Sequence, residues 1–176
     1  MKKSIIIVVL TTLAAVSSSS AFAAAGTVNF AGNILDSACD VAIASQNQTV
    51  IIGDFYKSEF QGMGAKTAAK DFDIVLKNCP DTVTSAKVRF DGASDLVNPS
   101  LLAINDSVAG AATGVAINLM SADKADLPLN GENNYNYVLS SSQDNNLKFY
   151  AQYISTAASV TAGPANSVAN FSVVYN

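Results

Sequence analysis

Few residues in this chain can do chemistry. It has 176 residues, no His, no Trp, two Cys, ten Lys+Arg and fourteen Asp+Glu. Without His there is no His-dependent triad, no imidazole base and no His-ligated metal. Two cysteines, Cys39 and Cys79, are too few for a Cys-only zinc site. Asp71 and Asp73 are close in sequence, but on a strand they share an outer, solvated face. Lys57-Ser58 is a Ser–Lys pair with nothing beside it to form an oxyanion site. No Gly-rich phosphate loop is present, so no cofactor is expected. A net charge of −4 offers no basic field for nucleic acid. The chemistry that remains is the pairing of Cys39 with Cys79.

Whether those cysteines pair depends on the compartment. Met1-Lys2-Lys3 is a basic start, Ser4 to Val16 is mostly apolar, and Ala21-Phe22-Ala23 fits the small-x-small rule. Residues 1–23 therefore read as a signal peptide, cut after Ala23, with Ala21 and Ala25 as alternative sites. The apolar run is shorter than the roughly 20 residues a membrane span needs. An N-terminal anchor is the alternative reading. The mature chain would keep 153 residues and eight Lys+Arg against fourteen Asp+Glu, a net charge of −6. None of its segments is expected to insert in a membrane. After export a disulfide is the default, closing a loop of 40 residues. The chain-entropy model gives it roughly 3–4 kcal/mol. Two free, buried thiols are the alternative.

The elements that must position these residues are short strands. Alternation with a period of two recurs, whereas no long helical period does. Val28, Phe30, Gly32 and Ile34 share one face of the first run. Thr49–Ile52, Phe72–Leu76, Val88–Phe90, Val115–Leu119, Leu147–Tyr153 and Ala169–Tyr175 follow. Turn-rich stretches separate them, among them Gly62-Met63-Gly64, Gly110 to Gly114, Asn130 to Asn134 and Gly163-Pro164. The pattern predicts one all-β domain, a sandwich. With only six or seven strands, the sandwich would be a strand short. Its edge would show unpaired backbone groups and an apolar groove, which a strand from another molecule can fill.

The chain resembles the type 1 fimbrial family of chaperone–usher pilins over its whole mature length. The resemblance rests on Gly26-Thr27-Val28-Asn29-Phe30-Ala31-Gly32 with Ile34, and on the spacing of Cys39 and Cys79. It rests also on Ala111 to Leu119, on Phe149-Tyr150-Ala151-Gln152-Tyr153, and on a C-terminus with Gly163, Ala165-Asn166 and Phe171 to Asn176. A penultimate Tyr and a Gly fourteenth from the end are the family's assembly signature.

The resemblance implies an incomplete immunoglobulin-like sandwich lacking its last strand. It implies a periplasmic chaperone that lends a strand, and an outer-membrane usher where a sibling subunit's extension replaces it. Residues 24–34 would then be the donor segment and 35–176 the pilin domain. Val28, Phe30 and Ile34 would fill pockets, and Gly32 would lie where the pocket is shallow. Gly163, Ala169, Phe171, Val173 and Tyr175 would border the acceptor groove, with the carboxylate of Asn176 held by basic chaperone residues. An ordinary edge strand at 27–34 and a plain core strand at 169–175 are the alternatives. The implied function is a structural subunit of an adhesive surface fimbria, with no catalysis. The segment before Cys39 is shorter than in the main type 1 rod subunit, a feature shared with adaptor subunits and some other rod subunits. An adaptor or terminator role therefore stays open, whereas 153 residues leave no room for a tip lectin domain.

Other features read as bland. Asn133-Asn134-Tyr135-Asn136-Tyr137 is a polar loop, with sugar contact as the alternative. The sequons at Asn47, Asn105 and Asn170 read as chance. The rival functions are a secreted carbohydrate-binding sandwich that is complete by itself, and a secreted hydrolase using a Ser–Lys or carboxylate pair.

Overall fold

The computed structural model describes residues 26–32, 34 and 38–175. Residues 1–23, expected to be a signal peptide, lie with Ala24, Ala25 and Asn176 outside the described residues. The chain divides into two units, 1–34 and 35–176. In the first, the described residues form no strand; Val28, Phe30 and Ile34 are exposed. The second unit carries all the secondary structure described below.

Among the described residues, nine strands form two antiparallel sheets. β1 (Asp40–Val41), β2 (Lys70–Lys77), β8 (Asn145–Ser155) and β5 (Val115–Met120) lie side by side in the first. Beyond β5, β4 (Leu102–Ala103) pairs its first half and β6 (Asp126–Leu127) its second. The second sheet is β7 (Tyr137–Val138), β3 (Ser85–Gly92) and β9 (Ala169–Tyr175), in that order. A single helical turn, α1 (Ile43–Gln46), and a 3₁₀ turn at Lys57–Glu59 complete the elements. No helix among the described residues is long and apolar enough to cross a membrane.

The alternating runs become strands because one side of each can be buried. Ile74 and Leu76 of β2, Val88 and Phe90 of β3, and Leu147 and Phe149 of β8 point into one core. The register sets Phe72 opposite Phe149 and Ile74 opposite Leu147. Phe72 stacks on Phe149 at 5.5 Å, and Phe90 meets Phe149 edge-on at 5.2 Å, both favoured ring geometries. β5 departs from alternation, since all six of its residues are buried. It has neighbours on both edges, and its polar members find partners. The Asn118 amide donates to Asp126 at 2.7 Å, and the Gln152 amide of β8 donates to the Met120 sulfur at 3.7 Å.

The Cys39–Cys79 disulfide forms and ties the start of β1 to the turn after β2. Three expectations need correction. Thr49–Ile52 forms no strand, because the matching edge of β2 is already occupied. Ala42 N–H donates to Val75 O at 2.9 Å, Ser45 Oγ accepts from Val75 N–H at 3.0 Å, and the Gln48 amide donates to Asp73 O at 3.1 Å. Asp73 is not simply solvated, because one of its carboxylate oxygens is buried without a hydrogen-bond partner. Asp71 does lie on the surface, 3.3 Å from Lys148 Nζ, and that contact holds its carboxyl below the usual carboxylate range. The run from Asn133 to Tyr137 is not a free polar loop. Asn133 is buried and donates to Val88 O at 3.0 Å, and Tyr137 forms part of the core.

Candidate functional site

The inner faces of β3 and β9 are paired residue by residue: Ala86 with Tyr175, Val88 with Val173, Phe90 with Phe171 and Gly92 with Ala169. They are not equally covered. Ala86 and Val88 are 0% exposed and Phe90 is 6% exposed, while Ala169, Phe171, Val173 and Tyr175 are each only half-buried. The difference is a missing neighbour. The outer edge of β3 is taken by β7 at Ser85 and Ala86, by the Asn133 amide at Val88 O and by Asn130 N–H at Phe90 O; among the described residues, β9 has a strand on β3's side and none on the other. Its free edge leaves the outward backbone N–H and C=O groups without a ladder.

Beside that edge runs a cleft of about 1220 Å³. One wall is 160–171, leading into β9; the other is 45–55, following β1. The 49–55 backbone makes no hydrogen bond to any strand among the described residues. The 49–55 wall and the outer edge of β9 thus present main chain that no strand among the described residues pairs. The floor is apolar and comes from both sheets: Phe72 and Ile74 of β2, Phe90 of β3, Leu102 of β4, and Ile117 and Leu119 of β5. The charged residues that line it are Asp40, Asp54 and Lys57, none of them part of that floor. Such a cleft suits an extended segment that is apolar on one face and offers its backbone on both edges.

Two tyrosines bracket the cleft. Tyr175, at the end of β9, donates its hydroxyl hydrogen to Cys39 O at 3.2 Å. Tyr153, from β8, donates to Ala165 O at 2.9 Å, and Phe55 packs edge-on against its ring at 6.0 Å. Burial raises the pKa of both phenols above the usual value. Gly163 sits where two backbones touch. A Cβ there would fall on the Gly110 carbonyl oxygen and lie 2.8 Å from Ala112 N. The segment is held there by Ala112 N–H to Pro164 O at 2.9 Å, Asn105 N–H to Asn166 O at 2.8 Å, and Thr161 N–H to Thr113 O at 3.1 Å.

The residues singled out in the sequence divide accordingly. Gly163, Ala169 and Phe171 line the cleft, and Val173 and Tyr175 continue the same face of β9. Around Gly32 a Cβ would meet nothing within 4 Å. Sequence reasoning missed the 45–55 wall, whose apolar run reads as one more strand. It also missed Tyr153, which alternation alone places in the core. Among the described residues, no cluster of His, Cys, Asp or Glu could hold a metal ion.

An immunoglobulin-like sandwich with one strand absent from its edge is the class that this fold and groove define. The family model "Fimbrial protein" matches residues 28–176, and the chain belongs to that family. It is 40% identical over 177 residues to "Probable major fimbrial subunit LpfA" of Escherichia coli O157:H7, spanning 99% of this chain and 97% of that one. Among solved structures it resembles the P pilus rod subunit PapA, with a TM-score of 0.67 and 25% identity over 80% of this chain and all of that one. It also resembles the type I fimbria protein BPSL1626 of Burkholderia pseudomallei, with a TM-score of 0.60 and 33% identity over 80% of this chain and 91% of that one. The protein is a structural fimbrial subunit of the chaperone–usher pilin type.

Proposed function

We propose that this subunit polymerises by strand donation. Residues 24–34 of one copy fill the cleft beside β9 of the next. The reading rests on one observation above all: the half-buried inner face of β9 beside a free edge. The donor segment has the complementary character. Val28, Phe30 and Ile34 are apolar, exposed and spaced for one face of a strand. Burying them contributes about 1.5–3 kcal/mol each. Each main-chain hydrogen bond adds roughly 0.5–1.5 kcal/mol. The ordering of the segment and the lost freedom of the subunit oppose part of this.

Before assembly the same cleft needs a temporary strand. A periplasmic chaperone supplies it, and an outer-membrane usher is where a sibling subunit's segment takes its place. The signal peptide 1–23 brings the chain into the periplasm, and the finished fibre stands on the cell surface. The work of the molecule is structural, not catalytic.

The deciding experiment expresses the mature chain with and without a second copy of residues 24–34 linked after Asn176. A folded monomer only with the added segment is the expected result. A stable native monomer without it defeats the proposal. Phe30→Asp should leave a subunit that accepts a strand but does not donate one, read as fibre formation in a mixed assembly.

A further inference from the structure

Asn130 is followed by Gly131, the residue that least hinders attack by its own backbone nitrogen on the preceding side chain. In that reaction the Gly131 nitrogen loses its proton to hydroxide and bonds to Asn130 Cγ. The Cγ–Nδ2 bond breaks and ammonia leaves, giving a succinimide. Water then opens either carbonyl, leaving Asp or isoAsp at 130. Water is the only other reactant.

The fold holds every group this step needs. Asn130 Nδ2 donates to Gly92 O and to Ser94 Oγ, both at 3.0 Å, and Oδ1 accepts from Gly92 N–H at 2.9 Å. The side-chain amide therefore pairs with Gly92 as a neighbouring strand would. Asn130 N–H donates to Phe90 O at 2.8 Å, and the attacking Gly131 N–H donates to Pro128 O at 3.3 Å. Asn130 itself sits at φ +57°, a conformation Asn tolerates better than most residues. Turning Cγ toward Gly131 N would break three side-chain hydrogen bonds at once.

We propose that Asn130–Gly131 is a fold-gated deamidation site, protected by the clamp on Gly92 and open to conversion in a chain that has not folded. This goes beyond strand donation. It means that a subunit delayed in folding acquires a covalent mark that also damages it. An aspartate at 130 sets a carboxylate oxygen against Gly92 O, where the amide had a donor. Gly92 is paired with Ala169 at the start of β9, and a Cβ on it would meet Leu102 of the cleft floor at 2.7 Å. The mark would therefore loosen one end of the strand-accepting groove.

The test incubates the mature chain with a second copy of residues 24–34 linked after Asn176 at mildly alkaline pH, folded in one arm and unfolded in guanidinium with reductant in the other. Peptide mapping by mass spectrometry reads the conversion at 130. Reaction from the folded chain tracks the population of its open form, so the unfolded arm should convert at least about tenfold faster. Gly131→Ala should suppress the fast conversion in the unfolded arm while keeping the clamp, since the nearest atoms to its Cβ would be Pro128 Cβ and Cγ at 3.1 Å and Pro128 O at 3.5 Å, on an exposed residue rather than on Asn130's partners. Asn130→Asp should lower the denaturant midpoint of the folded chain. Equal rates in the two arms, or an Asn130→Asp chain with the parental midpoint, would overturn the proposal. So would an unfolded Gly131→Ala chain that converts as fast as the parent.

Discussion

The Tyr175 hydroxyl donates to the Cys39 carbonyl oxygen at 3.2 Å, joining the last strand to the residue just before the first. Cys39 is bonded to Cys79, so this contact fixes the free end of β9 to the disulfide. The end of the groove wall depends on a bridge 136 residues away in sequence.

Tyr175→Phe keeps the ring and removes the donor, leaving a carbonyl of a buried residue unpaired. A loss of about 1 kcal/mol or more is expected. Denaturant unfolding of the strand-complemented subunit measures it. An unchanged midpoint would show that the contact contributes nothing.

Loss of the disulfide, by reduction or by Cys39→Ser with Cys79→Ser, should cost about 4 kcal/mol for its 40-residue loop. It should also free the C-terminal end of β9. Hydrogen exchange at residues 173–175 should rise on reduction more than at Leu147 and Phe149, which are buried mid-sheet in β8.

Gly163→Ala puts a methyl group on the Gly110 carbonyl. Backbone must move, and a cost of about 1–3 kcal/mol follows. The shift should reach Pro164 and Asn166, whose carbonyls hold the segment to residues 112 and 105. Weaker strand binding in the groove, read by titration with a 24–34 peptide, accompanies it. Full binding by a stable Gly163→Ala subunit would contradict this.

Phe171→Ala tests whether the bound strand covers the inner face of β9. Phe171 is only half-buried while the groove is open. Truncating a fully buried Phe costs about 3–5 kcal/mol, and a loss in that range is expected in the strand-complemented subunit. Denaturant unfolding of that form measures it. A loss well below about 3 kcal/mol would mean that the bound strand does not cover Phe171.

Alkaline pH should destabilise the fold. Burial raises the pKa of Tyr137, Tyr153 and Tyr175 in the folded state. A raised pKa means the folded state holds its protons more tightly. That stability is fully present below the unfolded phenol value of about 10 and is lost as pH rises through the folded values. The unfolding midpoint should fall above about pH 10, and less steeply in Tyr175→Phe. Asp71→Asn, which breaks only surface pairs with Lys148 and Lys70, should leave the midpoint unchanged.

What the sequence determined by itself is local and periodic. Alternation placed Phe72, Ile74, Val88, Phe90, Leu147 and Phe149 on the inner faces, because burying one side of a strand is a property of every second residue. The two cysteines, with an exported start, were enough to expect the Cys39–Cys79 bond. The C-terminal run already carried the face of β9. The tertiary structure decided which apolar runs find a partner. Thr49–Ile52, a short apolar run, and Ala169–Tyr175, an alternating one, both read as strands, yet the first pairs with no strand among the described residues, because Ala42, Ser45 and Gln48 had taken the edge of β2. Only the assembled sheets show that β9 stays uncovered on one side and that Gly163 must be small to pass Gly110. Only they show that Asn130 serves as a strand for Gly92. Each of these depends on which backbones meet across long sequence separations, and a period of two carries no information about that.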